Sequence, residues 1–334
     1  MNLDRVDKIA KAVLYEGYML YPYRPSSVKN QQRWNFGVLY PQTYSGALGG
    51  EEPCSMRTEC LISGKASTTL EVKLRFLQLR LRSTGQPSQT LACSLPNGWQ
   101  EAVERDVSLP PFMLQRLISE PMKYTFTFPP QSLVDSANES GGPTIGTIVH
   151  RQAEVRGIVD VAIESVSAAL FKASVFVRNT TLLETQEAGR DQALLQSLVS
   201  THLILSVAGG EFVSLLEPPA ELQELAAKCQ NVGAWPVLVG EEGQRDTLLA
   251  SPIILYDYPQ IAPESAGDLF DGTEIDEILS LRIMTLTEDE KREIRQSDER
   301  ARQILERTET MPAEQFTKLH GAVRSLRPFK ENQP

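Results

Sequence analysis

From Ala153 to Ile163 every second residue is apolar or glycine. Ala153, Val155, Gly157, Val159, Val161 and Ile163 share one parity, and Glu154, Arg156, Asp160 and Glu164 occupy the other. A period of two belongs to a strand with one face in a core and one in water. Ile158 and Ala162 interrupt the wet face. Leu170–Arg178 repeats the theme after a short Ser/Ala connection, the spacing of an antiparallel hairpin. Glu71–Arg82 alternates too, but its phase slips. Val72, Leu74 and Phe76 form the first apolar set, and Leu77, Leu79 and Leu81 form the second. A one-residue bulge at Phe76–Leu77 gives this pattern, and so does a strand buried on both faces near its middle. Lys123–Phe128 reads as a further strand. Strands and helices never alternate regularly, so the expected class is α+β, with a largely antiparallel β body and not a doubly wound sheet.

Helical periodicity marks the two ends. Residues 3–17 place Leu3, Val6, Ala10, Val13 and Leu14 on one face, with Asn2 as the N-cap and Gly17 as the stop. Near the other end, Thr273 with Asp276 resembles a capping box, and Thr287 with Glu290 matches one fully. The second box opens a helix read over residues 288–307. Between the ends, Arg190–Leu205 begins as a helix and finishes as a strand. Gly209–Gly210 reads as a turn, and Ala220–Cys229 as a short helix after Pro218–Pro219. Val237–Val239 and Pro252–Tyr256 read as short strands, and Ser132–Thr144, rich in Ser, Gly and Asn, as a loop. The expected division is a mainly β body with its N-terminal helix at residues 1–256, then an acidic turn and C-terminal helices at 257–334.

A net charge of -10 and a pI near 5.0 argue against nucleic acid as a partner. No apolar stretch approaches the roughly 18–20 residues of a membrane span, and the charges spread through the first 17 residues do not fit a signal peptide. The expected location is the cytoplasm, in keeping with four cysteines (Cys54, Cys60, Cys93, Cys229) that form no disulfide framework. Cys54 and Cys60 are too far apart in sequence for a zinc hairpin, and the glycine pairs fit neither GxGxxG nor a phosphate-binding loop. No cofactor and no metal are therefore expected. His150, His202 and His320 stand singly, without a sequence motif for a nucleophile.

Two stretches are candidates for binding a protein partner. Eight of the 23 aromatic residues fall between Tyr15 and Tyr44, interleaved with Pro22, Pro25 and Pro41. They suit either rings packed across a sheet edge or a recognition surface carried by Tyr21, Tyr23 and Trp34. Residues 257–290 hold ten carboxylates and a single base, Arg282. Helix capping on a solvated surface accounts for them, and so does an electrostatic docking patch formed by Asp268, Asp271 and Glu274 beside Tyr256 and Tyr258.

The run SPIILYDYPQIAPESAGDLFDGTEIDEILSLRIMTLTEDEKREIR, with STHLILSVAGGEFVSLLEPP upstream, resembles a family encoded beside nickel–iron hydrogenases of the high-affinity, actinobacterial type. The resemblance covers roughly residues 197–310 and brings no catalytic residues with it. It implies an accessory in hydrogenase maturation, assembly or localisation, with hydrogenase subunits or maturation factors as partners. Three isolated histidines and the lack of CxxC do not suit a metal carrier. The leading expectation is a non-enzymatic assembly protein. A second reading is an enzyme, such as a hydrolase, whose site forms only in three dimensions from Cys54, Cys60, His150 or His202. A third is a self-assembling homo-oligomer built edge to edge from its β body.

Overall fold

The computed structural model describes residues 3–15, 34–84, 98–138, 144–183, 189–260, 283–296 and 299–312. The chain divides into two compact units, one comprising residues 1–18 and 32–260, the other residues 19–31 and 261–334. The first is largely antiparallel β. No helix among the described residues is long and apolar enough to cross a membrane.

The organising element is β1 (Ser55–Thr84), a strand of 30 residues. One of its edges pairs in turn with β8 (Leu170–Asn179), β3 (Phe112–Met113) and β2 (Gly98–Ser108). The other pairs with β9 (Val199–Val213) and then β6 (Thr144–Gln152). Beyond β8 lie β7 (Val155–Ser167) and β4 (Met122–Phe128). Beyond β9 lie β11 (Thr247–Ser251) and β10 (Trp235–Leu238), and β5 (Gln131–Asn138) pairs with β6. In a flat sheet, β4 would lie about 14 Å from β1, three strand spacings away. Yet the ring centroids of Phe126 and Phe128 on β4 are 5.9 and 5.7 Å from that of Phe76 on β1. The sheet therefore curls over itself. Its inner face encloses the main core, which includes Phe76, Leu74, Val159, Val175, Leu203 and Leu205.

The expected strands at 123–128, 153–163 and 170–178 form, the second starting at Val155, and the last two make the antiparallel hairpin. Burial along β7 follows the parity read from the sequence. The phase slip in β1 has two physical sources. Arg75, Phe76, Leu77, Gln78 and Leu79 are all buried, so both faces of the strand are covered. A bulge is present as well, but on the neighbouring strand. Arg75 opposes His202 and Leu77 opposes Val199, so two steps along β1 meet three along β9. The extra residue lies near Ser200, whose φ is +52°.

Four expectations need correction. Residues 132–144 do not form a plain loop: residues 131–138 and 144–152 pair as the β5–β6 ribbon. Gly209–Gly210 is not a turn, since β9 runs through it to Val213. A β-carbon on Gly210 would sit 2.8 Å from the Ser63 carbonyl and 2.8 Å from Thr68, so glycine is required for this close approach of backbones. The last short strand is Thr247–Ser251, and residues 252–256 lie outside any strand. Finally, residues 288–307 are not one helix.

The helix α1 (Leu3–Leu14) packs on the outer face of β9, β10 and β11. Val6, Ile9, Ala10 and Val13 pack on Ile204, Val237, Val239 and Leu249. Burial contributes about 1.5–3 kcal/mol for each of the larger side chains, support that a helix of 12 residues needs, being marginal alone. Arg75, only 8% exposed, lies on the same face. Its Nε and Nη2 donate to Asp106 at 2.8 and 3.0 Å, and Nη2 also reaches Asp7 of α1 at 3.3 Å.

Short helices α2 (Gln42–Ala47), α3 (Leu114–Ser119), α4 (Arg190–Leu194) and α5 (Gln223–Ala226) also belong to the first unit. In the second unit, α6 (Glu288–Gln296) opens with the expected capping box. The backbone N–H of Thr287 donates to Glu290 Oε2 at 2.8 Å, and that of Glu290 to Thr287 Oγ1 at 3.3 Å. A separate helix, α7 (Glu299–Glu309), follows. Arg295 Nη2 meets Glu309 Oε2 at 2.8 Å, whereas 14 residues of continuous helix would hold them about 21 Å apart. The two helices therefore fold back as a hairpin. Arg295 and Lys291 outweigh the effect of burial on Glu309 and hold its carboxyl below the ordinary range.

Candidate functional site

The bulge in β9 helps to build an open groove on the first unit. By re-aiming the β9 backbone, it lets Ser200 N–H donate to the Phe36 carbonyl (3.1 Å) and Thr201 N–H to that of Gly37 (3.0 Å). Leu39 and Leu198 continue the contact as an isolated bridge. Gly37, at φ +53°, leaves no room for a side chain, because a β-carbon there would lie 2.5 Å from Pro252. Trp34 adopts φ +64°, a strained value for a bulky residue. The surrounding contacts hold it there: its indole Nε1–H donates to Gln100 Oε1 at 2.9 Å, and its carbonyl accepts from Arg190 Nη2 at 3.1 Å.

Segment 35–40 thereby forms one wall of a groove of about 520 Å³. Val232, Gly233 and Trp235 form the opposite wall, anchored to β1 by reciprocal bonds between Arg57 and Val232. Pro53 and Pro252 contribute further apolar surface, with Glu51, Glu52 and Arg190 also lining the groove. Arg190 Nη2 donates to Asn35 Oδ1 at 2.7 Å. Phe36, Val232 and Trp235 remain exposed, whereas Tyr40 is buried and its ring stacks 5.2 Å from that of Tyr44. Burial pushes the Tyr40 phenol up, with Arg190 pulling against it, so Tyr40 stays neutral. The groove is therefore an open, mostly apolar slot with hydrogen-bonded walls and charges of both signs, suited to receiving an apolar side chain from a partner.

The partner-binding residues named from the sequence fare differently. Trp34 is corrected: it is 3% exposed, held inward by Gln100 of β2, and presents no ring to a partner. Tyr256 is 85% exposed. Tyr258 is half-buried against the core with φ +56°. Its N–H donates to the Leu238 carbonyl at 2.7 Å, while Leu238 N–H donates to Asp257 Oδ1 at 2.8 Å. Those two bonds occupy the outward backbone of edge strand β10, and Pro236 two residues earlier has no N–H to offer. That end of the sheet is thus protected against edge-to-edge pairing. Tyr21, Tyr23, Asp268, Asp271 and Glu274 lie outside the described residues, as do Asn2, Gly17, Cys93, Thr273, Asp276 and His320. Phe36 and Trp235 were not singled out from the sequence. They stand 199 positions apart, and only the β9 bulge and the Val232 bridge bring them to one groove.

The groups considered for catalysis do not share a site. Cys60 lies in the main core, where burial pushes its thiol well above the usual range. Burial also raises Cys229, to about 11. Neither is a thiolate at neutral pH. Cys54, Cys60 and Cys229 are free thiols. His202 is fully buried, with Nδ1 against the Ser200 carbonyl and Arg75 as its charged neighbour. His150 Nδ1 lies 3.2 Å from Glu101 Oε2, on another part of the sheet. Among the described residues no group of three or more His, Cys, Asp or Glu could hold a metal ion. No protein-family model matches the chain, and no curated protein is significantly similar to it.

Proposed function

We propose that this protein is a non-enzymatic accessory that works in the cytoplasm through protein–protein contact, with the groove between Phe36 and Trp235 as its docking point. The observation that carries this reading is the groove itself. The frame leaves Phe36, Val232 and Trp235 open to solvent although it buries Trp34 and Tyr40. Aromatic residues in such a setting are the usual anchors of an interface. The raised thiols of Cys60 and Cys229 and the sealed imidazole of His202 support the same reading, because none is poised for nucleophilic or acid–base work. The resemblance of residues 197–310 names the partner class: subunits or maturation factors of a nickel–iron hydrogenase.

The test is mass spectrometry of proteins that co-purify with the tagged full chain from its native lysate, compared with Trp235→Ala and Phe36→Ala. Both variants change exposed side chains, so the fold should persist. Hydrogenase components should accompany the wild type and be depleted at least tenfold in the variants, the equivalent of losing about 1.4 kcal/mol. Recovery of no hydrogenase component removes the partner assignment, and equal recovery with all three chains removes the groove.

A further inference from the structure

The inner face of the curled sheet changes character along β1. Phe76 ends the apolar stretch, and Gln78, Arg80 and Arg82 continue the same parity. Directly paired residues share a face. That places Arg105 (opposite Phe76) and Glu101 (opposite Arg80) of β2 beside them, together with Gln152 and His150 of β6, opposite Arg80 and Arg82. Glu101 is shared by Arg80 at 3.0 Å, Arg82 at 3.7 Å and His150 at 3.2 Å.

Arg105 is treated differently. Its Nε donates to Gln78 Oε1 at 2.8 Å and its Nη2 to Gln152 Oε1 at 2.7 Å, and its guanidinium carbon lies 4.8 Å from the centre of the Phe128 ring. Its polar partners among the described residues are amides, not carboxylates. Burial, and Arg80 as a like-charged neighbour, lower its proton affinity. A half-buried cation is thus held in place without a counter-charge among the described residues.

Gln152 presents the matching anomaly. It is only 8% exposed, and its Nε2 has no hydrogen-bond partner among the described residues. Exchanging the ends of its amide is no remedy, since that would turn a donor towards Arg105. Gln78 is fully used, its Nε2 donating to the Ala153 carbonyl at 2.8 Å. The cluster therefore offers an uncompensated guanidinium next to a buried N–H donor that lacks an acceptor, both on regular strands. Either feature alone is costly in a folded protein. A single ligand group, negatively charged and accepting hydrogen bonds at more than one oxygen, satisfies both.

We propose that Arg105 and Gln152 form a binding site for an oxyanion, a phosphate or carboxylate group, at the polar end of the sheet's inner face, with Phe128 as its apolar wall. Guanidinium and amide donors side by side suit a forked oxygen pair. The site is separate from the groove and independent of the docking reading.

The experiment is thermal unfolding of the full chain at constant ionic strength, exchanging sodium chloride for sodium phosphate or for sodium acetate. Wild type and Gln152→Glu are compared. The variant keeps the acceptor for Arg105 and supplies the missing carboxylate, so it should fold and gain stability in chloride while losing the response. A saturable rise in Tm with phosphate only identifies a phosphoryl ligand, and one with acetate only a carboxylate ligand. A rise with both supports the shared oxyanion chemistry. Phosphate also stabilises proteins non-specifically, so the decisive quantity is the difference between wild type and variant. Arg105→Lys, which keeps the charge and loses the fork, should weaken the midpoint concentration about tenfold or more, and Arg292→Gln on α6 should leave it unchanged. No saturable response in the wild type, or an undiminished one in Gln152→Glu and Arg105→Lys, overturns the proposal.

Discussion

The imidazole of His202 should make the stability of the β body fall steeply with mild acid. Burial is the main cause, opposed by the bond to the Ser200 carbonyl and reinforced by Arg75, and together they lower its pKa from 6.5 to about 4. The unfolded chain therefore binds a proton at pH values where the folded chain refuses it. For a depressed pKa of this kind, stability is complete above 6.5 and is lost as pH falls towards 4. At pH 5 the unfolded-to-folded binding ratio is roughly (1 + 10^1.5)/(1 + 10^-1), about 30, worth about 2 kcal/mol; at pH 7 the same expression gives about 0.2 kcal/mol. The charged groups near this imidazole are Arg75 on β1, with Asp106 on β2 and Asp7 on α1 as the arginine's partners. Those carboxylates are common to wild type and variant, so comparison with His202→Met isolates the histidine. Urea unfolding followed by tryptophan fluorescence at pH 7 and pH 5 supplies the measurement. The wild type should lose about 2 kcal/mol more than His202→Met over that interval. Parallel losses within about 0.5 kcal/mol, below what additivity errors allow, would show that His202 is not sealed as described.

Two further outcomes test the packing. A β-carbon on Gly157 would lie 2.2 Å from the tip of the Phe126 ring. Gly157→Ala should therefore cost about 1–3 kcal/mol of overpacking, less about 0.5–1 kcal/mol from the removed glycine, lowering Tm by several degrees; adding Phe126→Leu should restore most of the loss, and additive effects would refute the clash. Thr287→Ala removes one arm of the capping box and should cost about 1 kcal/mol locally, seen as roughly five-fold faster amide exchange in the first turn of α6, and an unchanged rate would mean that the cap carries no stability.

The sequence was informative wherever one face of an element is wet. In β7 the solvent side of Arg156, Asp160 and Glu164 printed the period, so strand, parity and hairpin could all be read. Thr287 and Glu290 are equally plain, because the box is local. Legibility failed where distant partners decide. The slip at Phe76–Leu77 reflects covers on both faces of β1, supplied in part by α1 and β4, and a bulge that belongs to a strand 120 residues later. Gly209–Gly210 has the composition of a turn, yet Gly210 is there to admit β1 backbone, and Gly209 takes φ +78°. The Ser/Gly/Asn-rich composition of residues 132–144 concealed a ribbon whose Leu133 and Val134 are exposed, and so carries no burial alternation. The break after Gln296 had a usable cue, since Ser297 and Asp298 are residue types that favour a helix start. The candidate site was the least legible: Trp34 looks like a surface aromatic until Gln100 is seen to hold it, and Trp235 has no local pattern that marks it.

The two-edged pairing of β1 sets a schedule for synthesis. Residues 73–83 of its β2 edge can close as soon as residue 108 has emerged and residues 55–63 once β8 is made, but the β9 edge waits for residues 199–213. At about 5–20 residues per second, the 129 residues between Thr84 and Val213 take roughly 6–26 s to make. For that interval residues 61–77 of β1 have no partner along this edge, since β6 covers only residues 80–84. This is the segment on which a ribosome-associated chaperone would act, and the one most exposed to pairing between chains on neighbouring ribosomes. Slowing translation beyond residue 84 should therefore raise the aggregated fraction, whereas the finished protein keeps the same edge covered along most of its length.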